Sequence, residues 1–167
     1  IIGQYIYGID VPDLQTALVN YLLEHNITVS TAESCTGGLI SKSITDVAGC
    51  SSVYPGGVCS YSNEMKMKWL NVKHETLDAY GAVSEQTALE MAKGIRNATG
   101  ADFGLSTTGI AGPGGGSEEK PVGLVYMAVA GENYERVEKV IIRYGERTSR
   151  EMIRQRSAKH ALHLLLQ

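Results

Sequence analysis

The sequence predicts an α/β fold, a three-layer α/β/α sandwich built on a mixed, mostly parallel sheet. Amphipathic helical segments alternate with short apolar runs along the chain, which is typical of strands covered by helices. Three of the apolar runs are followed by blocks rich in Ser, Thr, Tyr and Gly. Near the C-terminus, two apolar runs joined by a turn at residues 131–133 predict a hairpin before a last helix.

The predicted elements follow from this periodicity. An amphipathic helix is expected from Leu14 to His25, and a strand over residues 27–32. Residues 10–13 predict a helix start, residues 84–87 open the longest internal helix, and Gly100 ends it. Ser62 or Asn63 could cap the helix that begins at Glu64. The remaining predicted helices cover residues 38–47, 64–70, 74–80, 84–99 and 148–166, and the remaining strands cover residues 57–62, 102–107, 122–130 and 135–143.

Composition excludes several functional classes. A chain of 167 residues with 43% hydrophobic content is enough for one domain with a substantial core. Its net charge of -3 provides no basic surface, so we expect no nucleic-acid partner. No apolar run reaches membrane-spanning length and no signal peptide is recognisable, so we expect no membrane association and a cytoplasmic location. Three cysteines without C-x-x-C spacing indicate reduced thiols.

Residues 31–38 are the most informative segment, because they place hydroxyl residues and two glycines where a strand runs into a helix. We expect the amides of residues 36–38 to point outward from that helix N-terminus and to attract anions. The alternative is that Ser34 or Thr36 is only a helix cap, and that the glycines only allow close packing.

Further polar blocks accompany this segment. They cover residues 61–66, 107–116 and 120–123. Ligands of open α/β sheets bind outside the carboxyl ends of the strands, so these blocks could converge with residues 31–38 on a single crevice.

Four ordered motifs carry a resemblance to a known family. They read A-E-S-C-T-G-G, Y-S-N-E-x-K, G-A-V-S and G-I-A-G-P-x-G-G-S-x-x-K-P-V-G. From about Thr28 to the C-terminus, the chain resembles the CinA C-terminal domain family, the nicotinamide-mononucleotide deamidases. The resemblance implies an amidohydrolase that converts nicotinamide mononucleotide and water to nicotinate mononucleotide and ammonia. It also favours a homodimer.

The resemblance further implies roles for individual residues. The pattern at residues 145–147 matches the family's basic residue, Arg147, but the interval to the helix end is longer than expected. Arg143 and Arg150 therefore compete with Arg147. The catalytic positions implied by the family are Ser34, Tyr61, Lys66 and Thr108.

The chemistry expected of these residues is acyl transfer from a carboxamide. A serine hydroxyl needs a base, and a lysine can be one when burial lowers its pKa. Amides after Ser34 could stabilise an oxyanion. The phosphate could be held by Arg147 or by the loop of residues 112–116. The expected substrate-binding residues are Thr36, Gly37, Gly38, Gly109, Gly112, Gly114, Gly115 and Arg147.

Rival assignments have weaker support. Ser117 and Lys120 form an S-x-x-K pattern, but in a loop rather than on a helix. His160 and His163 share a helix face without a third ligand, so we expect no metal site, and we expect no cofactor. Cys35 is the competing nucleophile, because a thiol beside a helix N-terminus is chemically attractive.

The chain organisation suggests a fragment. We interpret residues 1–10 as a connector left from a preceding domain, which would be a partner within the same polypeptide, and residues 11–167 as the amidohydrolase domain. Two alternatives stay open at this point. One is a non-catalytic nucleotide-binding regulatory module, and the other is an amidase acting on a different small amide.

Overall fold

The computed structural model describes residues 11–143, 145 and 148–167, and these form helices and strands in three layers. The predicted connector, residues 1–10, lies outside the described residues. The helices are α1 (Leu14–His25), α2 (Leu39–Thr45), α3 (Asn63–Leu70), α4 (His74–Tyr80), α5 (Glu85–Thr99) and α6 (Arg150–Leu165). The strands are β1 (Val29–Glu33), β2 (Gly56–Cys59), β3 (Phe103–Gly109), β4 (Leu124–Ala130) and β5 (Glu135–Ile141).

The five strands form one mixed sheet in the order β2-β1-β3-β4-β5. Strand β1 pairs in parallel with both β2 and β3, whereas β4 is antiparallel to both β3 and β5. Four strands therefore run in one direction and only β4 runs against them, which confirms the predicted mixed, mostly parallel sheet. In the register, Glu33 is opposite Cys59 on one side and Thr107 on the other. The carboxyl ends of β1, β2 and β3 consequently meet at one edge.

Helices cover both faces of the sheet. On one face α1, α2 and α6 contact one another, and their buried residues, such as Leu18, Ile40 and Ile153, form the larger core. On the other face α3 and α4 contact α5, which packs on the sheet, with Met91 and Leu70 in the core. Burying one such side chain contributes about 2 kcal/mol relative to exposing it. The predicted three-layer architecture is confirmed.

Side-chain caps explain where several helices begin. Asp13 accepts a hydrogen bond from the Thr16 amide at the start of α1. Serine hydroxyls do the same at three other helices, each satisfying an amide that has no partner within the helix. These capping serines are Ser62 at α3, Ser84 at α5 and Ser149 at α6. Helix α2 differs, because its N-cap residue, Gly38, has no side chain to cap it.

Among residues 11–143, 145 and 148–167, no helix combines the length and apolar character needed to cross a bilayer.

Candidate active site

The carboxyl ends of β1, β2 and β3 border a small cavity of about 210 Å³. Ser34 follows β1 directly, Tyr61 comes shortly after β2, and Thr108 is the penultimate residue of β3. Of the polar blocks predicted to converge, residues 31–38, 61–66 and 107–116 therefore contribute to one cavity, whereas residues 120–123 do not line it. The residues that line the cavity are Ser34, Cys35, Tyr61, Lys66, Ala82, Val83, Thr108, Gly109, Ala111 and Arg150.

Ser34 and Lys66 form the central pair. The Lys66 Nζ lies 3.1 Å from the Ser34 Oγ, although the two residues are 32 positions apart in sequence. The same Nζ donates to the backbone carbonyls of Ser60, at 2.8 Å, and Tyr61, at 3.3 Å. Lys66 is 1% exposed, because it lies with Leu70 on the buried face of α3, the helix that packs against α5.

Burial changes the acid-base behaviour of Lys66. Removal from water disfavours the ammonium form and lowers its pKa from 10.5 to about 8. No carboxylate forms a salt bridge with Lys66 among the described residues. A lysine in this state carries an available lone pair in a substantial fraction of molecules near neutral pH, which is the property required of a general base.

The turn after Ser34 corrects the prediction for the start of α2. The carboxylate of Glu33, which is fully buried, accepts hydrogen bonds from the amides of Gly38, Ile40 and Ser41, and from the Ser41 hydroxyl. The expectation of a helix N-terminus open to substrate anions was wrong, because the protein's own carboxylate already occupies it.

Three predicted substrate-binding residues already have partners within the protein, through the amides of Gly37 and Gly38 and the hydroxyl of Thr36. Gly38 donates its amide to Glu33, and Gly37 donates its amide to the Ser34 carbonyl at 3.2 Å. Thr36 is fully buried and its hydroxyl shares a 2.7 Å hydrogen bond with the Thr107 hydroxyl. These contacts fix the shape of the turn, and among these three residues only Thr36 keeps a backbone amide without an oxygen acceptor in the described residues.

Two other amides of the turn remain available. The Ser34 amide donates to the Thr107 carbonyl at 3.0 Å. The amides of Cys35 and Thr36 donate to no oxygen of the residues that the structure describes. They act instead on the Cys35 thiol, where they oppose the effect of burial on its pKa. Cys35 borders the cavity, and Thr36, which is fully buried and does not line it, follows directly in the chain.

Tyr61 and Arg150 form the mouth of the cavity. The Tyr61 side chain is 64% exposed, and its hydroxyl accepts a 3.0 Å hydrogen bond from Arg150. A second nitrogen of Arg150 donates to the Gly112 carbonyl at 2.8 Å. The guanidinium thus links the end of β2 to the glycine-rich loop, and it borders the cavity itself.

This position separates the three competing arginines. Arg150 is at the cavity, whereas Arg143 is exposed and does not border it. Arg147, the residue favoured by the resemblance, lies outside the described residues.

Thr108 lines the cavity, but its hydroxyl group already donates a hydrogen bond within the protein. Its hydroxyl donates to the Ala82 carbonyl at 2.6 Å. The preceding carbonyl, of Gly81, accepts from the hydroxyls of Ser84 and Thr87. These contacts fix the wall formed by residues 82 and 83, so the structure gives Thr108 a positioning contact and no direct contact with Ser34 or Lys66.

The glycine-rich loop is only partly at the site. Gly109 borders the cavity, and Gly112 is buried beside it, held by Arg150. Gly114 and Gly115 are exposed and do not line the cavity, so their predicted role as substrate contacts is not found in this arrangement.

The rival assignments fit the structure poorly. Burial raises the pKa of the Cys35 thiol to about 12, which keeps it protonated at neutral pH. The Lys120 amine donates to the Tyr80 carbonyl at 2.6 Å, and the Ser117 hydroxyl accepts from the Lys120 amide in a tight turn. Within the described part of the chain, no group of three His, Cys, Asp or Glu side chains could hold a metal ion.

Two larger concavities lack comparable chemistry. One of about 560 Å³ runs along α6, and its serine, Ser149, is the N-cap of that helix. The other, of about 290 Å³, is lined mainly by apolar side chains at the C-terminal end of α6. Neither brings a nucleophile next to a buried base.

Sequence reasoning missed two residues of the site. Glu33 is part of the A-E-S-C-T-G-G motif, but no role was predicted for it. A buried carboxylate directly before a candidate nucleophile is nevertheless an unusual feature. Arg154 lies in the last helix, for which the sequence predicted only the apolar positions. Its side chain donates hydrogen bonds to the carbonyls of Cys35 and Thr36. No short motif could have identified Arg154, because its partners are more than 100 residues away.

Comparison with known proteins identifies the relatives of this chain. The family model described as the CinA C-terminal domain matches residues 12–167. A competence-damage inducible protein of Thermoanaerobacter pseudethanolicus is 50% identical over 165 residues, covering 99% of this chain but 39% of the relative. A CinA-like protein of Kosmotoga olearia is 51% identical over 161 residues, covering 96% of this chain and 38% of the relative. The chain thus spans well under half the length of these relatives.

Solved structures show the same similarity. The competence/damage inducible protein CihA from Agrobacterium tumefaciens has a TM-score of 0.82 and 43% identity, covering 95% of this chain and 98% of that one. The competence damage-inducible protein A from Klebsiella pneumoniae has a TM-score of 0.86 and 31% identity, with 92% of each chain covered.

Proposed function

The chain belongs to the CinA C-terminal domain family, and on that premise we propose that it hydrolyses the carboxamide of nicotinamide mononucleotide to nicotinate mononucleotide and ammonia. The observation that carries this proposal is the 3.1 Å contact between the Ser34 hydroxyl and the buried amine of Lys66 at the edge of a small cavity. A serine beside a lysine of lowered pKa is an activated nucleophile, and amides are substrates of such pairs.

The partners of Lys66 orient its lone pair. The carbonyls of Ser60 and Tyr61 can only accept hydrogen bonds, so each requires an N–H of the amine. A neutral amine has two N–H bonds and one lone pair, and both N–H bonds are used by these carbonyls. The third contact, Ser34, can donate its hydroxyl proton. In the neutral state the lone pair of Lys66 is therefore directed at the nucleophile.

The reaction then proceeds in two stages. The Ser34 oxygen attacks the carboxamide carbon while Lys66 takes the hydroxyl proton, giving a tetrahedral oxyanion. The carbon–nitrogen bond breaks, Lys66 returns the proton to the leaving nitrogen, and ammonia departs from the acyl-enzyme. Water next attacks the ester carbon, Lys66 takes its proton and gives it back to the Ser34 oxygen, and the carboxylic acid is released.

In this scheme, backbone amides stabilise the negative charge that develops on the carboxamide oxygen. The amides of Cys35 and Thr36, which donate to no described oxygen, are the candidate oxyanion donors. Each such donor can contribute roughly 3 to 4 kcal/mol to the stability of a transition state. This assignment keeps the sequence-based expectation that amides after Ser34 stabilise the oxyanion, and it names two of them.

The size and charge of the site fit a nucleotide whose reacting end is buried. At about 210 Å³ the cavity is smaller than those that enclose a complete drug-sized ligand, so the pyridine ring and carboxamide enter while ribose and phosphate stay at the mouth. Arg150 lies there, and with two donors used it has three left for a phosphate. Arg147 and the loop of residues 112–116 remain the other candidates for that contact.

A substrate panel tests the proposal. Ammonia release is measured with nicotinamide, its riboside and its mononucleotide, using this chain and its Ser34→Ala variant. Turnover of the mononucleotide that is lost in Ser34→Ala supports the proposed activity. Binding of the mononucleotide without ammonia release would instead favour a nucleotide-binding regulatory module, and faster turnover of another amide would reassign the substrate.

A further inference from the structure

Arg154 contacts the nucleophile turn from the side of helix α6. Its Nε donates to the Cys35 carbonyl at 3.2 Å, and its Nη2 donates to the Thr36 carbonyl at 2.8 Å. The residue is half-buried and does not line the cavity, so it cannot contact a substrate held there. One guanidinium thus fixes two consecutive peptide groups directly after Ser34.

Peptide geometry transmits this contact to the oxyanion donors. The Cys35 carbonyl and the Thr36 amide belong to one planar trans peptide unit, in which C=O and N–H point in opposite directions. When Arg154 holds the carbonyl toward α6, the Thr36 N–H is directed away from α6. A charged donor on the carbonyl also polarises the peptide unit and strengthens its N–H as a donor.

The second amide is fixed through the same contact. The Cys35 N–H shares its peptide unit with the Ser34 carbonyl, which accepts a 3.2 Å hydrogen bond from the Gly37 amide. That amide belongs to the peptide unit of the Thr36 carbonyl, the other acceptor of Arg154. Both candidate oxyanion donors are therefore oriented by peptide units that Arg154 holds, one directly and one through Gly37.

The glycine at position 37 provides a separate indication that the turn is shaped around this guanidinium. Gly37 has a φ of +60°, and a Cβ placed there would lie 2.9 Å from the Arg154 Nη2. A side chain at this position would therefore meet the guanidinium. This contact explains why a glycine occupies position 37, where Arg154 approaches the backbone. The sequence had suggested Gly37 as a substrate contact.

We propose that Arg154 is a positioning residue that orients and polarises the amides of Cys35 and Thr36 for the oxyanion. The role rests on the acyl transfer proposed above. Arg154 acts through the backbone and not through the substrate, so its loss should affect tetrahedral species much more than planar ones. No motif in the sequence assigns such a role to this residue.

The test compares Arg154→Ala and Arg154→Lys with the wild-type chain. Lysine keeps the positive charge but has one nitrogen, so it cannot bridge both carbonyls in the way that the guanidinium fork does. Lys159→Ala is the matched control, because it removes an exposed basic side chain from the same helix. Thermal unfolding of each variant establishes that the protein is folded.

Two ligands report the role independently of turnover. Pyridine-3-boronic acid forms a tetrahedral adduct with a serine hydroxyl, which boron-11 NMR distinguishes from the free trigonal acid, whereas nicotinamide stays planar. We expect both Arg154 variants to weaken binding of the boronic acid by about tenfold or more. Removing an oxyanion donor outright costs roughly 100- to 1,000-fold, and Arg154 only orients the donors. Nicotinamide affinity should change by less than twofold, and Lys159→Ala should leave both affinities unchanged.

Kinetics with nicotinamide mononucleotide complete the test. Both variants should lower kcat by about tenfold or more with little change in KM, because the lost interaction exists only in the transition state. A change in KM without a change in kcat would overturn the positioning role. Equal loss of affinity for the boronic acid and for nicotinamide would overturn it as well. If the wild-type chain forms the tetrahedral adduct but releases no ammonia, the proposed substrate is wrong while the role of Arg154 is still decided by the boronic acid.

Discussion

The ionisation of Lys66 should control the pH dependence of the reaction. With a pKa of about 8, the amine is neutral in about 9% of molecules at pH 7, against about 0.03% for a pKa of 10.5. Burial therefore increases the active form roughly 300-fold at pH 7. We expect kcat/KM to rise about tenfold per pH unit below pH 8 and to level off above it.

The assay must separate this ionisation from that of the substrate. A phosphate monoester has a second pKa near 6, so the nicotinate mononucleotide formed is quantified by chromatography only between about pH 6.5 and 9.5. The riboside, which has no phosphate, is the control and should give the same profile at a lower rate. A rate that is independent of pH across this range would refute Lys66 as the base.

Substitution of Lys66 sharpens the same test. Lys66→Arg keeps a positive charge, but a guanidinium stays protonated at every accessible pH and cannot accept the Ser34 proton. We expect no measurable turnover at any pH. Activity in this variant would mean that the residue supplies only charge.

The lowered pKa also has a consequence for stability. The unfolded chain, with a Lys66 pKa of 10.5, binds a proton that the folded chain releases at about pH 8, so the contribution of this group to stability rises between pH 8 and 10.5. At 1.36 kcal/mol per pKa unit, wild type should gain about 3 kcal/mol relative to Lys66→Met between pH 7 and 10.5. Urea unfolding at the two pH values measures this difference, and a constant difference would contradict the burial effect.

Three further predictions concern the rest of the site. Ser34→Ala should abolish turnover and keep mononucleotide binding, while Cys35→Ala should stay active; the opposite pattern would make Cys35 the nucleophile. Arg150→Ala should weaken binding of the mononucleotide while barely changing the rate with the riboside, because the riboside has no phosphate. An equal effect on both substrates would place the phosphate contact elsewhere, and the same comparison is made with Arg147→Ala. Prolonged chelation should leave the rate unchanged, and a loss restored by one divalent ion would indicate a metal-dependent amidohydrolase.

Local pattern and sheet topology were enough to predict most of the fold and the meeting of the strand-end blocks, whereas the roles of Ser34 and Lys66 were implied by the family resemblance. The helix at Leu14–His25 is found with the predicted bounds, because apolar spacing and the Asp13 cap agree. The meeting of Ser34 with Lys66 followed from a general rule, since the ends of neighbouring parallel strands share one edge of a sheet. The 3.1 Å contact and the burial of the amine could not be predicted from the sequence, because they depend on which face of α3 packs inward.

The start of α2 shows where reasoning from local pattern failed. Helix capping was considered only for residues next to the helix, whereas the acceptor is Glu33, five residues before Gly38. Two positive-φ glycines fold the turn back, so that the carboxylate of a strand residue reaches the helix amides. The choice among three arginines stayed open for a different reason, because the spacing in the motif does not say which turn of α6 faces Tyr61.

The buried Glu33 carboxylate changes how the turn can stabilise negative charge. It satisfies the first amides of α2 and places a fixed negative group one residue from Ser34, which opposes an oxyanion there. A site built for acyl transfer then needs positive charge close to the same turn. Lys66, once protonated, and Arg154 supply it from opposite sides, the first at the Ser34 hydroxyl and the second at the Cys35 and Thr36 carbonyls. Glu33 therefore holds the turn rigid, and the two cations make the rigid turn able to receive the oxyanion.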